Sequence, residues 1–495
     1  MKRIEEYEKE IQSAASGFFN RHSGSGVMYI CGKSGMGKTL LARQHVKDHG
    51  GLYFSFRNLD ADLAPRIFLP SCSNWDEFFQ KVLIAKNRPV IFFDDMDDRN
   101  DKDVFLEKLS VLKGTAFVVL IYRNESQIPA QSRKLTMKPI IPPDLCREFK
   151  KLDQRDALRI IAMTDGIPAL VNLFRLDLSF EENVQNIFVV GSPYLRYAEE
   201  NLRREFRSPE SYNTLLYGMA IGYNRISQLA EFSGYPKNKC DKYLKALDTA
   251  GYIEKEQRRD ETGTVRTHYY LKGGYLRVWY QLYFPQQHEF IDPMTEDAVK
   301  ELVFWIDDCA TKYYFRKLCW RWFSRNASGF YGDGSVASGN PAQRDITING
   351  VQIDFIQHGK DRDLYMNIWD DPESGFPKEL FQKIEKATTT TRPFYDNIYF
   401  LFSISRVCNY VEELRKMGAI IMVDSRSATF SGGNRLTGAP VDAMDLRAGA
   451  ALIIAGLAAE GRTEIGGVQY IKRGYVDIVH KFRMLGADIE EIECP

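Results

Sequence analysis

The chain has 495 residues, 44% of them apolar, with 66 basic side chains against 66 acidic ones. That length predicts three or four domains, and the balanced charge excludes a global field drawing the chain onto nucleic acid or an anionic membrane. The opening stretch Met1 to Glu8 has no apolar signal region, and the blandest run, Ala448 to Ala459, is far shorter than the roughly 20 residues of a membrane span, so a cytoplasmic chain with no membrane contact is expected.

Residues 1 to 22 read as a charged amphipathic helix. It leads into the apolar strand Val27-Met28-Tyr29-Ile30-Cys31. Next comes Gly32-Lys33-Ser34-Gly35-Met36-Gly37-Lys38-Thr39, a full match to the phosphate-loop pattern, and Leu40 opens the following helix. Glycines there let backbone N–H groups turn inward around a polyphosphate, and the helix N-terminus adds its positive dipole end. In this pattern Lys38 reaches the β- and γ-phosphates of ATP and the Thr39 hydroxyl ligates Mg²⁺. Gly32 to Leu40 is therefore the expected nucleotide-binding stretch.

A second apolar run, Gly51 to Phe56, and a helical pattern over Trp75 to Lys86 follow. The strand Arg88 to Asp95 ends in two carboxylates, where a nucleoside triphosphatase keeps its Mg²⁺ partner and its water-activating base. Asp94 suits the first role and Asp95 the second. A further buried strand, Ala116 to Tyr122, delivers Arg123 to a position from which the γ-phosphate could be sensed. Strands alternating with helices predict a parallel, doubly wound α/β sheet with its crevice at the strands' carboxyl ends.

The phosphate loop, the Asp94-Asp95 strand and Thr164-Asp165-Gly166-Ile167-Pro168-Ala169-Leu170 together resemble the archaeal-type ATPases of the STAND group, regulatory relatives of AAA+ ATPases. The resemblance implies a helical lid ending in a Gly-x-Pro turn, with Pro168 near the nucleotide. The family usually has Asp-Glu where this chain has Asp94-Asp95, which implies slow hydrolysis. The resemblance continues into a winged helix, with helices over Ile226 to Glu231 and Asn238 to Ala250 and wing strands at Tyr252-Ile253 and Thr267 to Tyr270. Lys237, Lys239, Lys242 and Lys245 are placed to touch DNA phosphates, yet no Arg, Asn or Gln spacing points to base reading. DNA contact and service as a packing module both stay open, as do self-association and a partner protein.

From about Phe304 to Ser405 the chain resembles the family's nuclease-like domain. Asp354 keeps its first acid, but Asn367-Ile368-Trp369 stands where Glu-x-Lys is expected, so a degenerate fold without nuclease activity is implied. Aromatic residues then thin out, with five (Tyr410, Phe430, Tyr470, Tyr475, Phe482) after residue 408. Glu412 to Ala419, Leu436 to Val441, Asp445 to Ala450 and Arg473-Gly474-Tyr475 closely resemble the C-terminal end of UDP-N-acetylglucosamine enolpyruvyl transferase. The resemblance implies that Arg447 and Arg473 are anion-binding arginines and that Asp445 holds the region together. That enzyme's cysteine-bearing loop and substrate lysine have no counterpart, so transferase activity is not expected. The junction near Val407 to Tyr410 reads as a fusion or a frameshift, and an isolated half-domain should leave Ala448 to Ala459 seeking a partner surface.

The expected organisation is an ATPase domain over 1–140, a lid over 141–205, a winged helix over 206–290, a degenerate nuclease-like domain over 291–407 and the transferase-like fragment over 408–495. The leading reading is an ATP- and Mg²⁺-dependent regulatory ATPase. A transferase and a DNA-bound module are the alternatives.

Overall fold

The computed structural model describes residues 2–21, 26–57, 59, 64–69, 71–85, 88–99, 101–112, 114–148, 152–175, 177–259, 265–287, 294–327, 343–359, 362–371, 377–391, 396–404, 410–419, 421–424, 427–430, 435–443, 446–472, 475 and 477–492. The chain divides into two compact units, Met1–Tyr313 and Tyr314–Pro495.

The first unit begins with helix α1 (Lys2–Arg21), strand β1 (Val27–Cys31), α2 (Lys38–His49), β2 (Leu52–Ser55), α3 (Ala64–Phe68), α4 (Trp75–Ile84), β3 (Val90–Asp94), α5 (Lys102–Leu109), β4 (Phe117–Tyr122) and β5 (Lys134–Thr136). The five strands form one parallel sheet in the order β2-β3-β4-β1-β5. Both β3 and β4 are apolar along nearly their whole length, VIFFD and FVVLIY, as strands covered by helices on both faces must be. Crossing from β1 to β2 passes over two strands, so the chain reverses direction around β1 and opens a crevice at its carboxyl end.

One side of this sheet is held by rings. Phe54, Phe56, Trp75, Phe78, Phe79, Phe93 and Phe105 share a single buried cluster. The Trp75 indole lies 5.1 to 5.6 Å from Phe105, Phe54, Phe78 and Phe93. The guanidinium of Arg99, 3% exposed, lies 3.9 Å from the Phe105 ring and 4.6 Å from Phe56, and Asp101 closes it with two hydrogen bonds of 2.8 and 2.5 Å. A buried cation thus has both its charge and its flat faces matched.

On the other side, His45 of α2 is 2% exposed, 5.3 Å from the Phe92 ring and 5.1 Å from His49. Burial, with the charge of His49 second, pushes its imidazole down to about 4. The folded protein therefore keeps His45 neutral where an unfolded chain would already be protonated, below about pH 6.5. Between those two values the unfolded state binds more protons, so the stability that His45 contributes is expected to fall by about 1 to 2 kcal/mol between pH 7 and 4.5. Urea unfolding at both pH values measures this. An unchanged pH slope in His45→Gln would remove His45 as its cause.

Beyond the sheet come α6 (Pro142–Glu148), α7 (Gln154–Thr164), α8 (Pro168–Val171), α9 (Phe180–Ile187) and α10 (Pro193–Glu205). A helix-turn-helix with a wing follows, made of α11 (Pro209–Ala220), α12 (Ile226–Ser233), α13 (Lys237–Thr249), β6 (Ile253–Arg259) and the antiparallel β7 (Val265–Leu271). Then come α14 (Gly274–Val278) and α15 (Glu296–Ile306). Buried hydroxyls bind α14 to the helices after the sheet: Tyr275 donates to the Tyr194 carbonyl (2.7 Å) and Tyr194 to that of Met163 (2.9 Å). The Trp279 indole N–H donates to Leu195 (2.8 Å). Asp307 accepts two hydrogen bonds from Arg159 of α7, at 2.9 and 2.6 Å.

The unit boundary falls within α16 (Lys312–Asn326). The second unit continues with β8 (Gln343–Ile348), β9 (Val351–His358), β10 (Arg362–Trp369), α17 (Lys378–Thr391), β11 (Asp396–Ser403), α18 (Tyr410–Lys416), β12 (Ile421–Asp424) and β13 (Ser427–Phe430). Its six-stranded sheet runs β12-β13-β11-β10-β9-β8, so a hairpin from beyond residue 408 extends a sheet begun well before it. Only β10 and β11 pair in parallel, across the α17 connection.

The last segment, β14 (Pro440–Asp442), α19 (Leu446–Ala458), β15 (Glu464–Gly466), α20 (Val468–Lys472) and α21 (Ile478–Met484), is a small βαβ unit with β14 and β15 parallel. Together with α18 and the turn after it, this segment forms a core of Met417, Val441, Leu452 and Ala455, and Glu413 of α18, 5% exposed, accepts the Asp442 N–H at 2.9 Å. The expectation of an uncovered helix is thus met only in part. Leu452, Ile453 and Ala455 are buried, whereas Ile454 and Leu457 remain in solvent. Among the described residues no helix is long and apolar enough to cross a membrane.

Candidate nucleotide site

The loop after β1 turns twice through left-handed backbone, at Gly35 (φ 75°) and Gly37 (φ 92°). A Cβ on Gly35 would stand 2.9 Å from Ile167 and 3.0 Å from Ala169, so these two residues pack where a side chain would be. The Ala169 N–H donates to the Gly35 carbonyl (3.0 Å), and the Tyr197 hydroxyl to that of Ser34 (2.9 Å). Gly166 (φ 67°) has the same constraint: a Cβ there would lie 2.0 Å from the Ile140 carbonyl oxygen.

Lys38 is 8% exposed and its ammonium donates to the carbonyls of Gly32 (2.5 Å) and Lys33 (2.9 Å). Burial lowers this ammonium to about 8, against the opposing pull of Asp94. One residue on, the Thr39 hydroxyl donates to Asp94 Oδ2 at 2.6 Å. Tyr53 of β2 donates to the same oxygen (2.8 Å), and the Asp95 N–H to Oδ1 (2.8 Å). Burial first, then the neighbouring Asp95 charge, raises the Asp94 carboxyl. A hydroxyl and a carboxylate in hydrogen-bond contact, aimed from two elements, are the hard oxygen donors a Mg²⁺ ion takes, so the residues fit that ion.

Asp95 sits in left-handed backbone (φ 56°), an arrangement a non-glycine residue adopts at a cost. Both of its carboxylate oxygens are engaged: Ser55 donates to Oδ2 (2.9 Å) and Arg204, on the last turn of α10, donates to Oδ1 (2.9 Å). Arg204 also lies 3.6 Å from Asp98. Arg123 lines the same cleft, but its guanidinium is turned into carboxylates, 2.5 Å from Asp98, 3.7 Å from Glu205 and 3.8 Å from Asp97.

These groups surround a cleft of about 1570 Å³. Ser34 to Leu40, Asp94, Asp95, Arg123 and Pro168 all line it, and so do Tyr53, Ser55 and Arg204, which sequence reasoning missed. No local signal marks those three, because each acts through a partner some 40 to 109 positions away. Leu40 presents its side chain to the cleft, 57% exposed, whereas Met36 is buried beneath the loop. At the far end the Tyr7 hydroxyl of α1 accepts the Lys138 N–H (3.1 Å).

The remaining sequence candidates lie elsewhere. On α13, Lys239 lies 3.9 Å from the Tyr235 ring and Lys245 is paired with Asp241 at 2.7 Å, while Lys237 and Lys242 are exposed. Arg473, Asp445 and the side chain of Arg447 lie outside the described residues, as does the junction from 407 to 409.

A glycine-turned cradle at the carboxyl end of a parallel sheet, with a buried lysine and a Thr–Asp pair, defines a P-loop, nucleotide-binding ATPase domain. Residues 28–119 match the ATPase family associated with various cellular activities (AAA), and this part of the chain is an ATP-binding AAA ATPase domain. Residues 402–482 match EPSP synthase (3-phosphoshikimate 1-carboxyvinyltransferase), so the C-terminal region is of the enolpyruvyl-transferase family. UDP-N-acetylglucosamine 1-carboxyvinyltransferase 1 of Streptococcus agalactiae is 46% identical over 125 residues, 25% of this chain and 29% of the relative. The chain thus spans less than a third of the length of that relative.

Among solved structures, the Walker-type ATPase of Pyrococcus abyssi aligns over 56% of this chain and 95% of its own, with 15% identity and a TM-score of 0.38. The ORC1 protein of Aeropyrum pernix in complex with DNA aligns over 58% and 94%, with 12% identity and a TM-score of 0.36.

Proposed function

We propose that the chain is a regulatory ATPase of the STAND type, in which MgATP sets the arrangement of lid and winged helix and hydrolysis is held back at rest. One observation carries this reading: Asp95, next to Asp94 of the Thr39–Asp94 pair at the end of β3, is latched by Arg204 from the lid. Lys38 would leave the Gly32 and Lys33 carbonyls for the β- and γ-phosphates, and Thr39 and Asp94 would hold Mg²⁺. The ion's contribution is to neutralise charge on the phosphates. For hydrolysis Asp95 must accept the proton of the attacking water as the bond from the γ-phosphorus to ADP breaks, and Arg204 and Ser55 lower its basicity and compete with that water for its oxygens. Movement of α10 frees it, and α10 is tied to α14 through Tyr194 and Tyr275. The domain division read from the sequence is proposed with it, and the transferase-like region is given a structural role, supported by its hairpin in the sheet of the second unit.

The pair between Arg204 and Asp95 is partly exposed, so releasing it is worth about 1 kcal/mol, or about fivefold in rate. Arg204→Ala is therefore expected to raise the turnover of ATP about fivefold at unchanged nucleotide affinity, with Arg204→Lys in between. Phosphate release and nucleotide titration on the full chain measure both. Equal or slower turnover with intact binding would sink the latch, and absence of ATP binding by the parent would sink the reading as a whole.

A further inference from the structure

Strand β2 presents one hydroxyl to each of the two acids at the end of β3, Tyr53 to Asp94 and Ser55 to Asp95. In the parallel pairing Tyr53 lies opposite Phe92 and Ser55 opposite Asp94, and residues two apart on a strand share a face. That face is the one covered by α2, since His45 of that helix packs on the Phe92 ring. Tyr53 thus stands between α2 and the acid: the Arg43 guanidinium lies 5.2 Å from its ring, and its hydroxyl reaches Asp94 Oδ2 at 2.8 Å.

Three donors converge on the Asp94 carboxylate, which is 2% exposed. The Thr39 hydroxyl (2.6 Å) shares Oδ2 with Tyr53, and the Asp95 N–H (2.8 Å) takes Oδ1. Thr39 belongs to the phosphate-loop helix, and the Asp95 N–H is carried by the turn that Asp94 itself begins. Of the three, Tyr53 is the donor anchored outside both, on a neighbouring strand.

We propose that Tyr53 is a positioning residue for Mg²⁺: its hydroxyl pins the Asp94 carboxylate against Thr39, so that the ion meets two oxygen donors already assembled. The inference rests on the reading of Thr39 and Asp94 as the holders of the ion. A phenol orients the carboxylate without neutralising it, and a Thr39 hydroxyl whose proton is directed at Asp94 keeps its lone pairs for a cation. Hydrogen-bond partners that orient metal ligands typically contribute about 10- to 100-fold in metal affinity.

Tyr53→Phe removes the hydroxyl and keeps the ring beside Arg43. Titration calorimetry on the full chain gives the affinity for ATP in saturating Mg²⁺ and in EDTA. The ratio of the two is expected to fall about tenfold in Tyr53→Phe, with the EDTA affinity within about twofold of the parent. A merely structural role would weaken both affinities together and leave their ratio as it was. For a variant of lower stability, the rise in melting temperature when Mg²⁺ joins ATP reads the same ratio. An unchanged ratio overturns the proposal, whatever the separate affinities do. A parent that binds ATP equally well in Mg²⁺ and in EDTA would instead overturn the reading of Thr39 and Asp94, and this inference with it.

Discussion

Lys38→Ala is expected to weaken MgATP binding by at least about a hundredfold, some 3 kcal/mol, because it removes the charge-assisted hydrogen bonds from a buried ammonium to phosphate. The same change should leave the apo protein as stable as the parent. In the resting structure Lys38 spends its donors on two loop carbonyls and its charge is disfavoured by burial, so its removal deletes a cost along with two hydrogen bonds. Titration calorimetry and thermal unfolding together separate a binding defect from a folding defect. An affinity within tenfold of the parent would mean that the phosphate cradle lies elsewhere.

The largest expected stability effect belongs to Trp75. Its indole meets Phe54, Phe56, Phe78, Phe79, Phe93 and Phe105, and it forms one wall of the cage around Arg99. Trp75→Ala should cost about 3 to 5 kcal/mol from lost burial and the cavity left behind, and Trp75→Phe distinctly less. Urea unfolding followed by far-ultraviolet circular dichroism reads this directly, and a loss under 1 kcal/mol for the alanine variant would show that the cage collapses onto its cation. Phe93 precedes Asp94 on β3, so a loosened cluster should also blunt nucleotide binding.

What could be read from the sequence follows the range of the interactions. The phosphate loop is local: eight consecutive residues carry the turn, the lysine and the hydroxyl, and the Asp94-Asp95 strand end is recognisable by composition alone. Arg204 is not legible in the sequence because its role comes from α10 folding back over 109 positions, and nothing in its own neighbourhood distinguishes it from Arg203. Arg123 was found by position, yet the acids at 97, 98 and 205 that engage it could be seen only in three dimensions. In the second unit the ion pair of Arg316 with Asp354 could not be read from the sequence, since Arg316 lies 38 residues before Asp354 on a helix with no motif of its own.

The pairing of β13 with β11 has a consequence for any attempt to trim the chain. Phe400 and Phe402 of β11 are buried beneath Trp322, and among the described residues the sheet is closed off beyond β11 by the hairpin β12–β13. Cutting after residue 405 would convert β11 into a bare margin, with unsatisfied backbone groups beside an aromatic surface, the kind of strand that recruits other chains into aggregates. Whatever its ancestry, the transferase-like segment serves as a selvedge: it finishes a sheet that would otherwise unravel into intermolecular pairing.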